Sequence, residues 1–227
     1  MGLILQESLK RPLLQVALDF TDLKPAIEIA SKVVEADVDI LEIGTPLAKT
    51  YGILAAKEIK RIAKEKLVLA DLKAVDAIAL EFTPYANEGV DAVTILGIVD
   101  DDVIKEAYEI CKNLRIDLIV DMIYVSNPVE RAFRLSSYGI SIVNLHVGVD
   151  VQRKRGVSAR QLLKEVEELA ESDIIVSIAG GIKPEDVDLF IKSGARIIVI
   201  GSAITKSADP YRAAKIAVEK LRAAKAL

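Results

Sequence analysis

Three charged residues, Asp71, Lys73 and Asp76, lie within six positions at the end of an apolar run that begins at Leu67. If that run is a strand, Asp71 and Lys73 point to the same side, because side chains alternate with period two. Asp76 follows where the chain should turn into a helix. Buried charges are costly unless they are paired, so the cluster indicates a catalytic site that contains all three residues. A surface ion pair at a strand end is the alternative.

Glu42 is an acidic residue inside an apolar segment rather than after it. A carboxylate in that position needs a cationic partner or a metal ion. Glu42 and Asp71 would form an all-oxygen pair suited to Mg²⁺, which keeps several waters and prefers one or two carboxylates. We therefore predict that they bind Mg²⁺, with Mn²⁺ as the alternative metal; one His and one Cys argue against zinc. An ion pair between Glu42 and Lys73 is a second interpretation, compatible with the first.

His146 is the only histidine of the chain, and the only side chain with an unperturbed pKa near neutrality. It ends an apolar run and is soon followed by Gly148, which is typical of a residue presented to a cavity. We predict that His146 is a general base, although a lone histidine is often a packed core residue. The single cysteine, Cys111, falls in a helical pattern and is expected to be a small core hydrophobe rather than a nucleophile.

The elements that must position these residues form a regular alternation. Eight short runs rich in Val, Ile and Leu are nearly continuous, as strands buried on both faces of a parallel sheet should be. The predicted strands are Leu13–Leu18, Val38–Ile43, Leu67–Leu72, Ala92–Leu96, Ile116–Val120, Ile140–Leu145, Ile174–Ile178 and Ile197–Ile200. Amphipathic stretches between and after them predict helices at Asp22–Glu35, Asp101–Lys112, Val129–Tyr138, Ala159–Glu171, Pro184–Ser193 and Tyr211–Ala226.

Eight strand–helix units in 227 residues predict one (β/α)₈ barrel, a TIM barrel, with residues 1–227 as a single α/β domain. Helix starts at Ser158 and Pro184, and helix ends at Gly89, Gly139 and Gly194, agree with this division. A doubly wound open sheet is the alternative fold. It would usually carry a G-x-G-x-x-G turn after the first strand, which this chain lacks there.

In such a barrel the chemistry lies at the C-terminal ends of the strands. By alternation, five polar side chains could face the interior at that rim: Asp19, Glu42, Asp71, Lys73 and His146. Gly180 and Gly181 follow the seventh strand, and Gly201 and Ser202 follow the eighth. Loops at these two places are the recurrent phosphate site of the fold, so we predict a phosphorylated small-molecule substrate. The basic run Arg153, Lys154 and Arg155 could help to hold it, or could simply be exposed.

Composition excludes several other classes of protein. A net charge of −4 with both signs mixed gives no electrostatic case for nucleic acid as a partner. The N-terminus lacks a signal pattern, and no apolar run approaches the length of a membrane span. With only one cysteine, the chain fits a reducing compartment. We therefore expect a cytoplasmic protein that binds neither nucleic acid nor membrane.

Six short motifs extend this interpretation over nearly the whole chain. They are Leu14–Asp19, Glu42–Leu47, Ala70–Asp76, His146–Gln152, Ala179–Ile182 and Gly201–Thr205. Together they resemble the orotidine 5′-monophosphate decarboxylase superfamily, and within it the 3-hexulose-6-phosphate synthase family. The pattern Asp-x-Lys-x-x-Asp, formed here by Asp71, Lys73 and Asp76, is specific to the superfamily but is shared among its members.

Other positions distinguish the members of the superfamily. The true decarboxylases carry a Lys on the second strand, where this chain has Glu42, and usually an Arg where it has Ser202. The 3-keto-L-gulonate-6-phosphate decarboxylases share the Glu but carry an Arg where this chain has Val149. The sequence His-x-Gly-x-Asp-x-Gln that begins at His146 instead resembles the synthases. One departure is Ile78, where the synthases often have Gly, so the packing that places Asp76 can differ.

The resemblance implies an Mg²⁺-dependent aldol reaction that joins formaldehyde to D-ribulose 5-phosphate, giving D-arabino-3-hexulose 6-phosphate, and its reverse. His146 would remove the proton next to the carbonyl. Mg²⁺ on Glu42 and Asp71, with the charge of Lys73, would stabilise the enediolate. Asp19 would hydrogen-bond the hydroxyl groups of the substrate.

The resemblance also implies a quaternary structure. In the superfamily the second Asp of the signature reaches into the neighbouring subunit's site, so Asp76 implies a homodimer with shared sites. Two other hypotheses compete with the aldol reaction. One is decarboxylation of a sugar-phosphate acid through the same enediolate, and the other is phosphosugar binding without catalysis.

Overall fold

The computed structural model describes residues 1–224, and its eight parallel strands close into one barrel in the order of the sequence. The strands are β1 Leu13–Leu18, β2 Ile40–Ile43, β3 Leu67–Ala74, β4 Ala92–Leu96, β5 Asp117–Asp121, β6 Ile142–His146, β7 Ile175–Ala179 and β8 Ile197–Ile200. Because β8 pairs with β1, with Leu13 opposite Ile197, the sheet has no open edge. The predicted TIM barrel is confirmed, and the doubly wound sheet is wrong.

Twelve α-helices surround and close the barrel in the described part of the chain. They are α1 Leu3–Lys10, α2 Leu23–Glu35, α3 Thr45–Tyr51, α4 Ile53–Ala63, α5 Ile78–Asn87, α6 Asp101–Leu114, α7 Pro128–Ser136, α8 Val149–Arg155, α9 Leu163–Ala170, α10 Val187–Lys192, α11 Ser202–Thr205 and α12 Pro210–Ala224. Short 3₁₀ turns at Ala159–Leu162 and Pro184–Asp186 precede α9 and α10. The predicted end of the last helix at Ala226 lies outside the described residues. Within residues 1–224, no helix combines the length and the apolar character needed to cross a membrane.

Local signals place the ends of several helices where the sequence predicts them. Ser158 accepts a hydrogen bond from the backbone N–H of Arg160 at 3.4 Å, which caps the turn before α9. Gly89, Gly139 and Gly194 follow helices with φ of 81°, 91° and 101°, a region that glycine enters without steric cost. These residues let each helix end and the chain turn back to the next strand.

Two apolar layers hold the barrel together. The outer layer lies between strands and helices, and it includes Cys111, which is 1% exposed. Burial raises the pKa of the Cys111 thiol to about 12, so the interpretation of this residue as a core hydrophobe is confirmed. The inner layer is formed by alternate strand residues such as Leu13, Ile40 and Leu69, together with Ile4 of α1.

Helix α1 closes the N-terminal end of the barrel, which the sequence patterns do not predict. Asp117, at the start of β5, accepts hydrogen bonds from the backbone N–H groups of Gly2 and Leu5, each at 3.0 Å. These are N–H groups that have no partner within the helix itself, so the carboxylate caps α1. The floor of the barrel is therefore apolar and sealed, while polar side chains collect towards the opposite end.

The pairing of β3 with β4 is irregular near the C-terminal end. Ala70 pairs with Val93 and Ala74 pairs with Ile95, so β3 advances four residues while β4 advances two. Lys73, within this stretch, has a φ of 47°, which is unusual for a residue with a side chain. The irregularity is a β-bulge, and such bulges change the direction in which side chains point.

Candidate active site

A chain of charged side chains crosses the C-terminal mouth of the barrel. The ammonium Nζ of Lys73 lies 2.7 Å from Asp71 Oδ2 and 2.6 Å from Asp121 Oδ2. The same Asp121 oxygen lies 2.9 Å from His146 Nδ1. Strands β3, β5 and β6 thus bring together a lysine, a histidine and two aspartates. The prediction that Asp71, Lys73 and His146 converge on one rim is confirmed by these contacts.

Asp121 determines how the His146 ring is presented. A carboxylate can only accept hydrogen bonds when ionised, so His146 Nδ1 donates to it and Nε2 is left with its lone pair. Burial alone would raise the pKa of Asp121, but the hydrogen bond from His146 and the charges of His146 and Lys73 lower it to about 2. Asp121 therefore stays ionised at neutral pH and holds the imidazole in one orientation.

Lys73 is held in its charged form. Burial disfavours the ammonium, but the negative charges of Asp71 and Asp121 and its hydrogen bonds to both outweigh that effect and raise the pKa of Lys73. Lys73 is therefore a fixed positive charge rather than a base. In the described residues its ammonium pairs with Asp71 and Asp121 and not with Glu42, so the expected Glu42–Lys73 ion pair is wrong. The bulge aims Lys73 across the mouth towards β5 instead.

Glu42 is buried in β2 with 7% of its surface exposed. Its Oε2 accepts a hydrogen bond from Gln15 Nε2 at 2.6 Å. Burial raises the pKa of Glu42 well above its ordinary value, and the negative charges of Asp71 and Asp19 raise it further. A bound divalent cation would relieve this mutual repulsion, so the carboxylates have the chemistry that Mg²⁺ prefers.

The carboxylate set is open rather than a closed cage. Among residues 1–224, no group of three or more His, Cys, Asp or Glu side chains is arranged to hold a metal ion by itself. Glu42 and Asp71 could still hold a cation whose other ligands are water and substrate oxygens, which is the usual arrangement for Mg²⁺. Asp71 is already oriented for such a role, because Thr45 Oγ1 and Thr94 Oγ1 each donate to it at 2.7 Å.

Asp19 follows β1 directly and opens to solvent at the mouth. Partial burial and the nearby negative charge of Asp71 raise the pKa of its carboxyl. A methyl group built on Gly44 would lie 2.3 Å from Asp19 Oδ1, so the loop after β2 passes directly against this carboxylate. The structure therefore places Asp19 beside the charged chain, on the side where a substrate would enter.

The two glycine loops lie at the ends of the neighbouring strands β7 and β8. Gly180 and Gly181 have φ of 121° and 69°, and a methyl group on Gly180 would lie 2.6 Å from the Val147 carbonyl oxygen. The loop after β7 is thus pressed against the residue that follows His146. Gly201 and Ser202 begin the short helix α11 after β8. Backbone N–H groups at both loops are available to a phosphate group, as predicted.

Two predicted elements lie apart from this cluster. Asp76 is exposed in the turn between β3 and α5, next to Val75, which is 52% exposed. The basic run Arg153, Lys154 and Arg155 is exposed on α8, where Arg153 pairs with Asp150 at 2.9 Å. For this run the structure favours the interpretation of an exposed basic surface.

Sequence reasoning missed several residues of the site, and their signals differ. Asp121 follows the apolar run Ile116–Val120 directly, which is the same signal that identifies Asp19. Gln15 and Thr94 lie inside apolar runs at positions that face the barrel interior. Thr45 begins α3, and its hydrogen bond to Asp71 has no local signal in the sequence.

Comparison with known proteins agrees with this geometry. Residues 12–217 match the orotidine 5′-phosphate decarboxylase / HUMPS family. The chain belongs to that family.

Particular members of the family are similar over nearly their whole length. The chain is 37% identical over 211 residues to 3-hexulose-6-phosphate synthase of Mycobacterium gastri, which covers 93% of this chain and 98% of that protein. A crystal structure of 3-hexulose-6-phosphate synthase from Salmonella typhimurium superposes with a TM-score of 0.88 and 32% identity, covering 93% and 99% of the two chains. The structure of KGPDC from Streptococcus mutans in complex with a phosphosugar has a TM-score of 0.86 and 26% identity, covering 93% and 98%.

Proposed function

We propose that this protein catalyses the aldol condensation of formaldehyde with D-ribulose 5-phosphate to D-arabino-3-hexulose 6-phosphate, and the reverse reaction. The observation that carries the proposal is the Asp121–His146 pair, which lies beside the charged Lys73 at the barrel mouth. A base next to a fixed positive charge is what the removal of a proton beside a carbonyl group requires. The similarity to synthases from Mycobacterium gastri and Salmonella typhimurium supports this choice of reaction.

His146 begins the reaction in this proposal. Its Nε2 takes a proton from the substrate carbon next to the carbonyl group, while Asp121 holds the ring through Nδ1. The electron pair of the broken C–H bond forms an enediolate. That carbon then attacks formaldehyde, forming the new C–C bond, and the alkoxide oxygen that results takes up a proton. In the reverse direction the same group accepts the hydroxyl proton as the C–C bond breaks.

The negative oxygen of the enediolate needs positive charge nearby. Lys73 supplies one such charge, and its two aspartate partners keep it both ionised and in place. We propose that Glu42 and Asp71 hold Mg²⁺, with Mn²⁺ as the alternative, and the bound ion would stabilise that oxygen as a Lewis acid. The buried Glu42 carboxyl, whose pKa is raised by burial and by neighbouring negative charge, supports this assignment.

The sugar phosphate would bind across the mouth. In this proposal the N–H groups around Gly180, Gly181, Gly201 and Ser202 hold the phosphate group. Asp19, opposite, accepts hydrogen bonds from the sugar hydroxyl groups. The phosphosugar complex of the Streptococcus mutans neighbour supports a substrate of this kind.

We further propose that the protein works as a homodimer in which Asp76 completes the partner's site. Asp76 is exposed, and its neighbours Val75 and Leu80 are 52% and 80% exposed. Exposed apolar side chains beside a charged one are typical of a surface that a second subunit covers. Size measurement in solution, for the wild type and for Leu80→Asp, tests the dimer; a wild-type monomer contradicts it.

Decarboxylation of a keto-gulonate 6-phosphate is the competing activity, because the Vibrio cholerae neighbour is a 3-keto-L-gulonate-6-phosphate decarboxylase and the Streptococcus mutans neighbour is a KGPDC. That reaction needs a cation near the departing carboxylate. At the position after the His146 loop this chain has Val149, which is 74% exposed and uncharged. We therefore favour the aldol reaction.

One assay separates the two activities. The protein is incubated with ribulose 5-phosphate, formaldehyde and Mg²⁺, and the disappearance of formaldehyde is measured. Consumption that depends on both the protein and the sugar phosphate supports the proposal. No consumption, together with release of CO₂ from keto-gulonate 6-phosphate, would show that the decarboxylation is correct instead.

A further inference from the structure

The β-bulge beside the site leaves a backbone group without a strand partner. Between the pairs Ala70–Val93 and Ala74–Ile95, three residues of β3 stand opposite one residue of β4, Thr94. The regular parallel ladder cannot continue there, because the two strands advance by different numbers of residues. The N–H group of Lys73 lies in this gap and needs another acceptor.

Thr94 supplies that acceptor with its side chain. Its Oγ1 accepts a hydrogen bond from the backbone N–H of Lys73 at 2.9 Å, and donates one to Asp71 Oδ1 at 2.7 Å. Thr94 and Asp71 are 4% and 6% exposed, so little water competes for these bonds. One hydroxyl group therefore joins the backbone of the candidate lysine to the carboxylate of the candidate metal ligand.

This contact controls two distances at once. Lys73 has a left-handed backbone conformation, which its side chain disfavours, and the Thr94 hydroxyl holds it there. Asp71 is held on Oδ1 by Thr94 and on Oδ2 by Thr45, so its plane cannot rotate freely. A valine in place of Thr94 would fill almost the same volume and make neither bond.

We propose that Thr94 is a positioning residue for the reaction, whose hydroxyl sets the geometry between the Asp71 carboxylate and the Lys73 ammonium. The inference rests on the proposed function for the reaction that it serves. Thr94 contacts Asp71 and Lys73 and acts through them. Groups of this kind commonly change metal affinity or activity by about 10–100-fold when they are removed.

The test compares Thr94→Val with Thr94→Ser in the full-length protein. For Thr94→Val we expect kcat to fall by about 10–100-fold. The KM for ribulose 5-phosphate should change little, because Thr94 is remote in sequence and strand from the glycine loops. Thr94→Ser keeps the hydroxyl and should stay close to the wild type. A second measurement, the affinity for Mn²⁺ alone, should weaken in Thr94→Val and recover in Thr94→Ser.

Ser172→Ala is the matched control. Ser172 Oγ also donates to a carbonyl, that of Leu169 at 2.7 Å, and accepts from the Ile174 N–H at 3.2 Å, but it lies before β7 at the opposite end of the barrel. Its loss should leave kcat and Mn²⁺ affinity unchanged. If Thr94→Val does not fold, Thr94→Ala and Thr94→Ser replace the pair, since they too differ only by a hydroxyl group.

Three results would overturn the inference. In the first, Thr94→Val keeps the kcat and Mn²⁺ affinity of the wild type. In the second, the serine variant loses as much as the valine variant, which would assign the effect to the methyl group. In the third, Ser172→Ala loses as much as Thr94→Val. If the wild type consumes no formaldehyde, the proposed function fails, but the Mn²⁺ affinities of the variants still decide the role of Thr94.

Discussion

Strand β5 carries two buried aspartates at its two ends, and their environments are opposite. Asp117 lies at the sealed floor, where the N–H groups of Gly2 and Leu5 bind it, while Asp121 lies at the mouth between Lys73 and His146. They are 6% and 1% exposed. Burial raises the pKa of Asp117 despite its N–H partners, whereas cationic partners lower the pKa of Asp121 to about 2.

This contrast shows that the partner, rather than the depth, decides what a buried carboxylate does. Backbone N–H groups belong to one helix and cannot move independently, so Asp117 joins α1 to the barrel. Side-chain cations carry protons and charge that a substrate can meet. The floor is therefore expected to govern stability, and the mouth to govern catalysis, as is usual in barrels of this kind.

The largest effect is expected from removing the partner of Asp121. His146→Ala should lower turnover by about 10²–10⁴-fold, the usual contribution of a general base. Affinity for a phosphate ligand should be nearly unchanged, because His146 does not belong to the glycine loops. Steady-state kinetics and ligand titration test this. Turnover at the wild-type rate would mean that His146 is only a packed residue.

Asp121→Asn should have the next largest effect on activity. The amide keeps the shape but loses the charge that holds the imidazole and Lys73, so we expect activity to fall by about 10–100-fold. The measurement is kcat across pH, alongside Asp117→Asn as the matched control on the same strand. Equal losses in the two variants would contradict the division between floor and mouth.

Asp117→Asn should act on stability instead. One of the two N–H groups at the start of α1 would lose its acceptor, which should lower the free energy of unfolding by about 1–3 kcal/mol. Chemical denaturation measures this change, and kcat should stay at the wild-type value. A variant with intact stability but reduced kcat would reverse the comparison.

The smallest effect is a difference in pH dependence between the two ends. Asp121 has a lowered pKa, so its ionised form stabilises the fold above its unfolded value of about 3.9, and this is lost as pH falls towards about 2. Asp117 has a raised pKa, so its contribution is fully present below about 3.9 and is lost as pH rises through the higher folded value.

The stability difference between the wild type and each asparagine variant should therefore slope in opposite directions with pH. For Asp121→Asn it should shrink on acidification, and for Asp117→Asn it should grow. Denaturation curves at several acidic pH values test both. Parallel slopes would mean that the two carboxylates experience the same environment.

Much of this arrangement could be predicted from local sequence patterns. Alternation within apolar runs places Asp19, Glu42 and Asp71 at one rim, because period two is a property of each strand alone. The bulge in β3 could not be predicted in that way, since it depends on how β3 and β4 are shifted relative to each other. For the same reason the Glu42–Lys73 pair was expected and the Lys73–Asp121 pair was not.

Other differences have similar causes. The predicted second strand begins at Val38, whereas β2 begins at Ile40, because Asp39 binds the backbone N–H of Leu14 before regular pairing starts. Helix α1 was missed because its role depends on Asp117, more than a hundred residues away. The metal ligands, the homodimer and the role of Asp76 stay predictions, since each depends on a partner outside the single chain.

The seal made by α1 has a kinetic consequence. With Ile4 fully buried beneath the strands, the barrel has a single entrance, so substrates and product share one path. Formaldehyde, the smaller reactant, must reach a site whose opening the sugar phosphate already occupies. The product must in turn leave before the next sugar phosphate can enter, so product and sugar phosphate should compete for the same form of the free enzyme.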